Sequence, residues 1–324
     1  EDTIYIGTAE GIAGLDPQQG TTKWRTELNG STAATPAVTT QSVLVPQDSH
    51  GTWFTPGGKI EHAQLVAVDT ETGKQQWKCE IDASRIYSVS VLENLAFLRT
   101  ENRPYAIDTE TGTIEWNGPE LAPLSVRRIR YAETAAPAVH DDLVIYPTRD
   151  GTIAVHINDG SKVWEHSSDT VFSAPVVRDE TVYLPAESEL TAIDVRTGHQ
   201  KWSSDGEYLN SPAVDEKRVY TCDHQGVVAH DRSSGETVWA YSEISESWTS
   251  PVCADDALLI GGSRSALEVF DTDRREVRWK FASNSATFRD FAVGAGGIYV
   301  VTGSESGRPA LRSFSDKSTG SRQS

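Results

Sequence analysis

Cysteine and histidine are the residue types most able to bind a metal or act as nucleophiles, and this chain does not group them. The three cysteines, Cys79, Cys222 and Cys253, are scattered, which gives neither a Cys-x-x-Cys metal site nor a disulfide framework. His50 and His62 share one segment, but a separation of twelve positions is weak evidence for a metal site. No Gly-x-Ser-x-Gly, P-loop or His-Glu-x-x-His motif occurs. We predict no catalytic residue, no metal and no cofactor.

Aromatic and basic residues are the better candidates, and they predict binding. Trp53 and Phe54 lie in a segment from Gln47 to Gln64 that also carries Pro56-Gly57-Gly58. This segment is either a contact surface or a flap folded onto its own sheet. A second segment, Asn117 to Thr134, carries a basic cluster that receives an anionic ligand or acidic partner, or else pairs with neighbouring Asp and Glu. The members of this cluster are Arg127, Arg128, Arg130 and Tyr131.

A repeated phrase, Asp-x-x-x-Gly-x-x-x-Trp, must position these candidates. Its seven tryptophans are 53, 39, 48, 38, 37 and 40 residues apart, a period typical of propeller repeats. The complete copies are Asp16-Gly20-Trp24, Asp69-Gly73-Trp77, Asp108-Gly112-Trp116, Asp194-Gly198-Trp202 and Asp231-Gly235-Trp239. Three further copies are degraded: His156-Gly160-Trp164, Asp271-Arg275-Trp279 and, without a tryptophan, Asp316-Gly320.

Each repeat predicts four short antiparallel strands. Between Pro137 and Trp164, apolar runs alternate with Asp and Gly turns, which is a hairpin pattern. The Asp closes the turn, the Gly takes the left-handed conformation, and the Trp fills the gap between neighbouring sheets. Arg275 in the Gly position costs about 1 kcal/mol if the same geometry is kept.

Four-stranded units repeated around an axis form the blades of a β-propeller. The first repeat lacks its inner strand and the last lacks its Trp-bearing strand. We predict an all-β, eight-bladed β-propeller, with seven blades as the alternative. Residues 1–320 form one domain in this prediction, and residues 321–324 form a tail.

Aromatic residues also precede the first strand of most repeats, where a propeller gathers its blade-joining loops. A ring of them at the mouth of a central channel, with Arg130 and Arg289, predicts a peptide, glycan or small-ligand site. The alternative is that these side chains wedge between blades as the tryptophans do. The aromatics are Tyr87, Tyr131, Phe172, Tyr208, Trp248 and Phe288.

The fullest copy of the repeat, from Ala67 to Trp77, reads Ala-x-Asp-x-x-Thr-Gly-x-x-x-Trp, and residues 106–116 and 192–202 follow it closely. On these residues the chain resembles the PQQ-type, quinoprotein-like propeller family over practically its whole length. The family includes PQQ- and calcium-dependent alcohol dehydrogenases and cofactor-free propellers similar to BamB, the outer-membrane β-barrel assembly lipoprotein. Many alcohol-oxidising members carry adjacent cysteines beside the cofactor, and this chain has none. The resemblance therefore implies the cofactor-free, BamB-like branch.

The charge of the chain disfavours nucleic acid as a partner. It has 47 acidic and 29 basic residues, for a net charge of -18, whereas phosphate contacts need a basic surface. An acid-rich, Lys-poor composition is typical of proteins adapted to high salt, as in haloarchaea, where screening at about 1 M salt acts over about 3 Å. The alternative is an acidic protein from a mesophilic organism.

Together these features predict a non-catalytic, monomeric propeller scaffold that binds a protein, peptide or glycan. The resemblance implies an exported or cell-surface location, since family members of this kind are commonly exported. The chain starts at Glu1 and contains no Met, as if a leader or anchor had been removed. No stretch approaches the roughly 20 apolar residues that span a bilayer. A PQQ- and calcium-dependent dehydrogenase, or a relic of one, is one alternative. A ligand-sensing domain of a larger receptor is the other.

Overall fold

Antiparallel β-strands make up all the regular structure of the described residues, which confirms the all-β prediction for that part of the chain. The computed structural model describes residues 3–8, 10–29, 31–32, 34–48, 62–121, 135–169, 171, 173–208, 210–223, 226–242, 249–254, 257–262, 266–282, 286–294, 297–304 and 310–315. No helix long and apolar enough to cross a membrane is present among them. The chain divides into two compact units, unit 1 (Thr3–Ser211) and unit 2 (Pro212–Ser324).

The described residues of unit 1 form five sheets. Sheet 1 has three strands, β1 (Ile4–Thr8), β2 (Gly11–Leu15) and β3 (Thr22–Glu27). Sheet 2 has five, β4 (Ser31–Thr32), β5 (Ala37–Val38), β6 (Ser42–Asp48), β7 (Gln64–Asp69) and β8 (Gln75–Glu80). Sheets 3, 4 and 5 have four each. Their strands are β9 (Ile86–Leu92), β10 (Leu95–Thr100), β11 (Pro104–Asp108) and β12 (Ile114–Asn117); β13 (Ala138–His140), β14 (Leu143–Thr148), β15 (Gly151–His156) and β16 (Lys162–Ser167); and β17 (Val176–Arg178), β18 (Thr181–Pro185), β19 (Glu189–Asp194) and β20 (Gln200–Asp205).

Unit 2 contains three sheets among its described residues. Sheets 6 and 7 have four strands each, and sheet 8 has three. The strands are β21 (Ala213–Val214), β22 (Arg218–Asp223), β23 (Gly226–Asp231) and β24 (Thr237–Tyr241); β25 (Val252–Ala254), β26 (Ala257–Gly262), β27 (Ala266–Asp271) and β28 (Glu276–Ala282); and β29 (Ala286–Gly294), β30 (Gly297–Ser304) and β31 (Ala310–Ser315).

The repeated phrase forms the turn before the last strand of sheets 1–7. In the sheet 2 copy, Asp69 Oδ1 accepts the backbone N–H groups of Glu71 and Thr72, and Gly73 N–H donates to the Asp69 carbonyl at 3.0 Å. Gly73 has a φ of 71°, and Arg275 takes the equivalent position with a φ of 60° and the same N–H bond, to Asp271, at 2.8 Å. The turn geometry therefore survives the loss of glycine in sheet 7.

Each tryptophan of sheets 1–4 contacts the turn of the following sheet. Its ring lies against the turn glycine there, at Gly73, Gly112, Gly160 and Gly198 in order. Its indole Nε1 donates to a backbone carbonyl in the same turn: Trp24 to Thr70 at 3.0 Å, Trp77 to Thr109 at 3.0 Å, Trp116 to Ile157 at 2.8 Å and Trp164 to Val195 at 2.8 Å. Glycine is needed at these turns both for its positive φ and for the space that the ring occupies.

The apolar cores lie between neighbouring sheets of each unit. Buried clusters join sheets 1 and 2, 2 and 3, 3 and 4, and 4 and 5 in unit 1, and sheets 6 and 7 in unit 2. The tryptophans differ in burial: Trp24, Trp116, Trp164, Trp202 and Trp239 are buried and Trp77 is half-buried, whereas Trp279 of sheet 7 is 40% exposed. The turn that follows Trp279 in the repeat, Asp316 to Gly320, lies outside the described residues.

Candidate functional site

Sheets 3 and 4 present two ends with different structures. The segments that join successive sheets lie beside the hairpins between second and third strands: Asn102 Nδ2 donates to the Asp82 carbonyl at 3.0 Å, and Leu121 N–H donates to the Asn102 carbonyl at 2.7 Å. We call this end, residues 81–85, 101–103, 118–121, 135–137 and 149–150, the loop end. The opposite end carries the repeated turns (residues 93–94, 109–113, 141–142 and 157–161), and we call it the turn end.

A fully buried arginine lies beneath the loop end. Arg99, on β10, is 1% exposed. Its Nε donates to the Pro147 carbonyl of sheet 4 at 2.8 Å, and its Nη1 donates to the Thr100 carbonyl. Its Nη2 is buried without a hydrogen-bond partner. Burial lowers the pKa of Arg99 to about 10, so the guanidinium remains protonated at neutral pH.

Two tyrosines flank this guanidinium. The Tyr87 ring centroid lies 5.7 Å from Arg99 Cζ, within the range of a cation–π contact. Tyr146 of β14 is fully buried, and its hydroxyl has no hydrogen-bond partner. Burial raises the pKa of the Tyr146 phenol well above its usual range, and burial also raises the pKa of Tyr87. Both rings are therefore neutral, and neither balances the charge of Arg99.

Glu101, the acidic residue closest to Arg99 in sequence, and the buried Asp48 already have other partners. The Glu101 carboxylate accepts the backbone N–H groups of Ser84 and Arg85, at 2.6 and 2.7 Å, and the Ser84 hydroxyl at 2.7 Å. The buried Asp48 carboxylate accepts Ile86 N–H at 2.9 Å and lies 3.4 Å from Arg85 Nε. Among the described residues, no carboxylate forms an ion pair with Arg99.

Arginine at this register is peculiar to sheet 3. Arg99 pairs with Pro104, the residue four positions before the turn aspartate of its repeat. The other sheets have small, proline or apolar residues at the matching register: Gly7, Pro46, Pro147, Pro185, Cys222, Gly261 and Val300. The propeller repeat therefore does not require a charged side chain at this position.

The segment from Asn117 to Thr134, which we call the second insertion, begins and ends at the loop end of sheets 3 and 4. Its flanking residues are held at the loop end, since the Ser88 hydroxyl donates to the Ala135 carbonyl at 3.0 Å and the Ser90 hydroxyl to the Pro137 carbonyl at 2.7 Å. The basic cluster of the insertion, Arg127, Arg128, Arg130 and Tyr131, lies outside the described residues.

The structure describes few of the predicted surface candidates. Tyr87 and Tyr208 are buried, at 7% and 6% exposure, and the Tyr208 hydroxyl donates to the Asp205 carbonyl at 3.2 Å. Phe288 and Arg289 lie on β29, with their side chains outside the description. Of the histidine pair, His62 is exposed. The candidates that lie outside the described residues are His50, Trp53, Phe54, Phe172 and Trp248.

One cluster within the described part of the chain has the donor atoms of a metal site. His140 Nε2 lies 3.9 Å from Asp141 Oδ2 and 3.7 Å from Glu180 Oε1, at the turn end. Arg196 already occupies this cluster: its guanidinium pairs with Asp141, with Asp142 at 2.5 Å and with Glu180 at 3.4 Å. A cation would meet an arginine that is already present, so these residues do not fit the calcium of a quinone enzyme.

Sequence comparison places the chain in a family. The model of the PQQ_2 family, described as outer membrane protein assembly factor BamB, matches residues 8–241 and 224–323. The chain belongs to this family. No curated protein sequence matches the chain.

Solved structures similar to this PQQ_2 family member share its fold. BamB from Moraxella catarrhalis is 15% identical with a TM-score of 0.74, and the match covers 96% of each chain. The computationally designed Ika8 protein is 15% identical with a TM-score of 0.75, covering 96% of this chain and 93% of that one. A europium-containing methanol dehydrogenase is 13% identical with a TM-score of 0.65, covering 93% and 80%. At these identities the similarity shows the β-propeller fold alone.

The sequence analysis did not select Arg99. This residue directly follows the apolar run from Leu95 to Leu98, and a polar residue in that position is typical of the beginning of a hairpin turn. The signal was present in the repeat of this PQQ_2 family member. Aligning the eight copies on their turn residues places Arg99 in a column that otherwise holds glycine, proline, cysteine and valine. Tyr87, for which the sequence leaves open a channel-mouth position or a wedge between blades, is buried against Arg99.

Proposed function

We propose that this protein is a non-catalytic β-propeller scaffold that binds a polypeptide partner through the loop end of sheets 3 and 4. The observation that supports this most is membership of the family described as an outer membrane assembly factor, over nearly the whole chain. In this proposal, residues 1–320 form one propeller domain, and the protein works without a cofactor.

The loop end suits partner binding for a structural reason. Sequence insertions are tolerated in loops, and binding residues concentrate on loops that a rigid scaffold positions. The second insertion starts and ends at this end, beside Asn102 and Ser88. The turn end instead carries the short repeated turns, whose Asp and Gly residues are used in the fold itself.

A photo-crosslinking experiment tests the proposed surface. A photoreactive amino acid is placed at Glu120 or Asp150 on the loop end, whose side chains are 85% and 72% exposed. The matched control places it at the exposed Glu110 on the turn end of sheet 3. In the native cells, both loop-end positions should crosslink to the same protein and Glu110 should not. Equal crosslinking from both ends, or none from either, would refute the surface.

Blade number belongs to the same proposal. The described strands form eight sheets, and those at the two ends of the chain have three strands each. Eight blades result if both three-stranded sheets are blades of their own, as the repeat count predicts, and seven if they are not. An experimental density map of the whole chain would count the blades directly.

We also propose that the protein is exported or exposed at the cell surface and works at high salt. The family description as an outer membrane protein assembly factor supports the location. The net charge of -18, with only 29 basic residues, supports adaptation to high salt. Because salt screens this self-repulsion, the unfolding temperature should rise between 0.1 and about 2 M potassium chloride. An unfolding temperature that does not change with salt would remove the halophilic part of the proposal.

A quinone-dependent dehydrogenase is the second candidate function, favoured by the structural similarity to a methanol dehydrogenase. This function requires stoichiometric uptake of PQQ and calcium, which a scaffold does not. The arginine-bridged cluster at His140 gives it no support among the described residues.

A further inference from the structure

The strongest unexplained feature of the molecule is the pair of unsatisfied hydrogen-bond donors beneath the loop end. Arg99 Nη2 and the Tyr146 hydroxyl are both buried without partners. An unpaired buried cation is expensive, because desolvation is not balanced by an opposite charge or by a full set of hydrogen bonds. The fold does not require a buried charge at this position, since the seven other sheets have uncharged residues at the same register.

The two donors belong to one site. Arg99 Nε donates to the Pro147 carbonyl of sheet 4, and Tyr146 belongs with Phe97 of sheet 3 to the buried cluster between the two sheets. Phe97 and Arg99 are two positions apart on β10 and face the same side of sheet 3, so Arg99 and Tyr146 lie in the same contact between sheets 3 and 4. Burial raises the pKa of the Tyr146 phenol, and the nearby positive charge of Arg99 opposes that rise. The Tyr87 ring lies against the guanidinium and limits its orientation.

We propose that Arg99, Tyr146 and Tyr87 form a binding site for one carboxylate group. A carboxylate has one negative charge and two acceptor oxygens, which match one free guanidinium nitrogen and one phenol hydroxyl. A phosphate dianion would leave one charge unbalanced, since Arg99 is the cation of the site. The burial of all three side chains restricts the ligand to a small acid or to the narrow carboxylate end of a longer one.

This site does not depend on the scaffold function, and its test is separate. The unfolding temperature is measured with increasing sodium acetate, with sodium chloride added to keep the sodium concentration constant. The wild-type unfolding temperature should rise with acetate, because a ligand that binds the folded state stabilises it. Arg99→Leu should lose this dependence. Arg25→Leu, which removes a half-exposed arginine of sheet 1, should keep it.

A second arm identifies the source of the carboxylate. A short peptide with a free C-terminal carboxylate is compared with its amidated form. If the free-ended peptide stabilises the protein at lower concentrations than acetate, the ligand is a polypeptide. If acetate alone acts, it is a small acid. Both results support the site. Two other results would overturn it: equal stabilisation of the wild type and of Arg99→Leu, or stabilisation by chloride as large as that by acetate.

A crystal structure keeps the proposal testable even if Arg99→Leu fails to fold. Wild-type crystals grown in sodium acetate should show planar density between Arg99 Nη2 and the Tyr146 hydroxyl. Ordered water alone at that position would overturn the proposal. Tyr146→Phe removes a single oxygen from the site and should weaken the acetate response without abolishing it.

Discussion

The indole ring of Trp77 lies directly against Gly112: a β-carbon on Gly112 would lie 2.6 Å from the ring, closer than real contacts allow. The same indole donates its N–H to the Thr109 carbonyl in the same turn. Trp77 belongs to sheet 2 and Gly112 to sheet 3. The glycine and tryptophan of the repeated phrase therefore contact each other between successive copies, and each copy aligns its sheet with the next.

Alanine substitution at the turn glycines separates backbone strain from this ring contact. Gly20 and Gly112 both have positive φ, 66° and 74°, but nothing lies within 4 Å of a β-carbon at Gly20. Gly20→Ala should cost about 1 kcal/mol from the left-handed conformation alone. Gly112→Ala should cost about 1–3 kcal/mol more, because the added methyl group displaces the ring. Chemical denaturation measures both, and equal losses would show that the ring contact has no energetic effect.

The loss of stability when a repeat tryptophan is replaced by alanine should depend on how buried that tryptophan is, and not on how closely its copy matches the repeat. Trp116 and Trp202 are buried, and Trp116→Ala or Trp202→Ala should lower the free energy of unfolding by about 3–5 kcal/mol. The half-buried Trp77 should give a smaller loss when replaced by alanine, and the 40%-exposed Trp279 a smaller one still. Trp53→Ala, outside the repeat, should barely change the unfolding temperature. Equal effects at Trp116 and Trp53 would contradict the assignment of repeat tryptophans.

Restoring glycine at position 275 should stabilise the protein. Arg275 has a φ of 60°, which disfavours any residue with a β-carbon. Arg275→Gly should therefore raise the free energy of unfolding by about 0.5–1 kcal/mol. Arg274→Gly is the matched control, because Arg274 is exposed and has no positive φ, so that this substitution relieves no strain. If the two variants shift stability alike, the strain at Arg275 is negligible.

The turn aspartates predict a loss of stability in acid. A hydrogen bond from the Thr72 hydroxyl, and then that from its N–H, lower the pKa of Asp69 below the ordinary 3.8. A carboxyl with a lower pKa in the folded state stabilises the fold above the unfolded pKa, and that contribution is lost as the pH falls through the folded value. Asp69→Asn should therefore flatten the decline of unfolding free energy below about pH 4. Parallel pH curves for variant and wild type would contradict this.

The sequence predicted the local chemistry of each turn better than the contacts between repeats. Asp69, Gly73 and Trp77 each take the local geometry that their residue types favour. Which copy supplies the partner of Trp77 is not encoded by the spacing, because a periodic phrase looks the same within and between repeats. The exposure of Trp279 could not be predicted either, since burial depends on what lies beyond the strand.

The candidate site was harder to predict because it depends on one residue that departs from the repeat. The sequence predicts that Tyr87, which precedes an inner strand, either lines the mouth of a channel or wedges between blades, and its ring is buried beside Arg99. Arg99 contacts a carbonyl 48 residues away, at Pro147. Only the pairing of sheets 3 and 4 brings these groups together, and strand patterns do not specify it.

The most direct test of the scaffold function is a titration of the protein with PQQ and calcium in molar salt, followed by absorbance and calorimetry. A cofactor-free scaffold predicts no saturable uptake and no bound-quinone spectrum, in wild type and in the Arg99→Leu variant alike. Tight one-to-one binding of PQQ with calcium would contradict the scaffold function and favour a quinone-dependent enzyme.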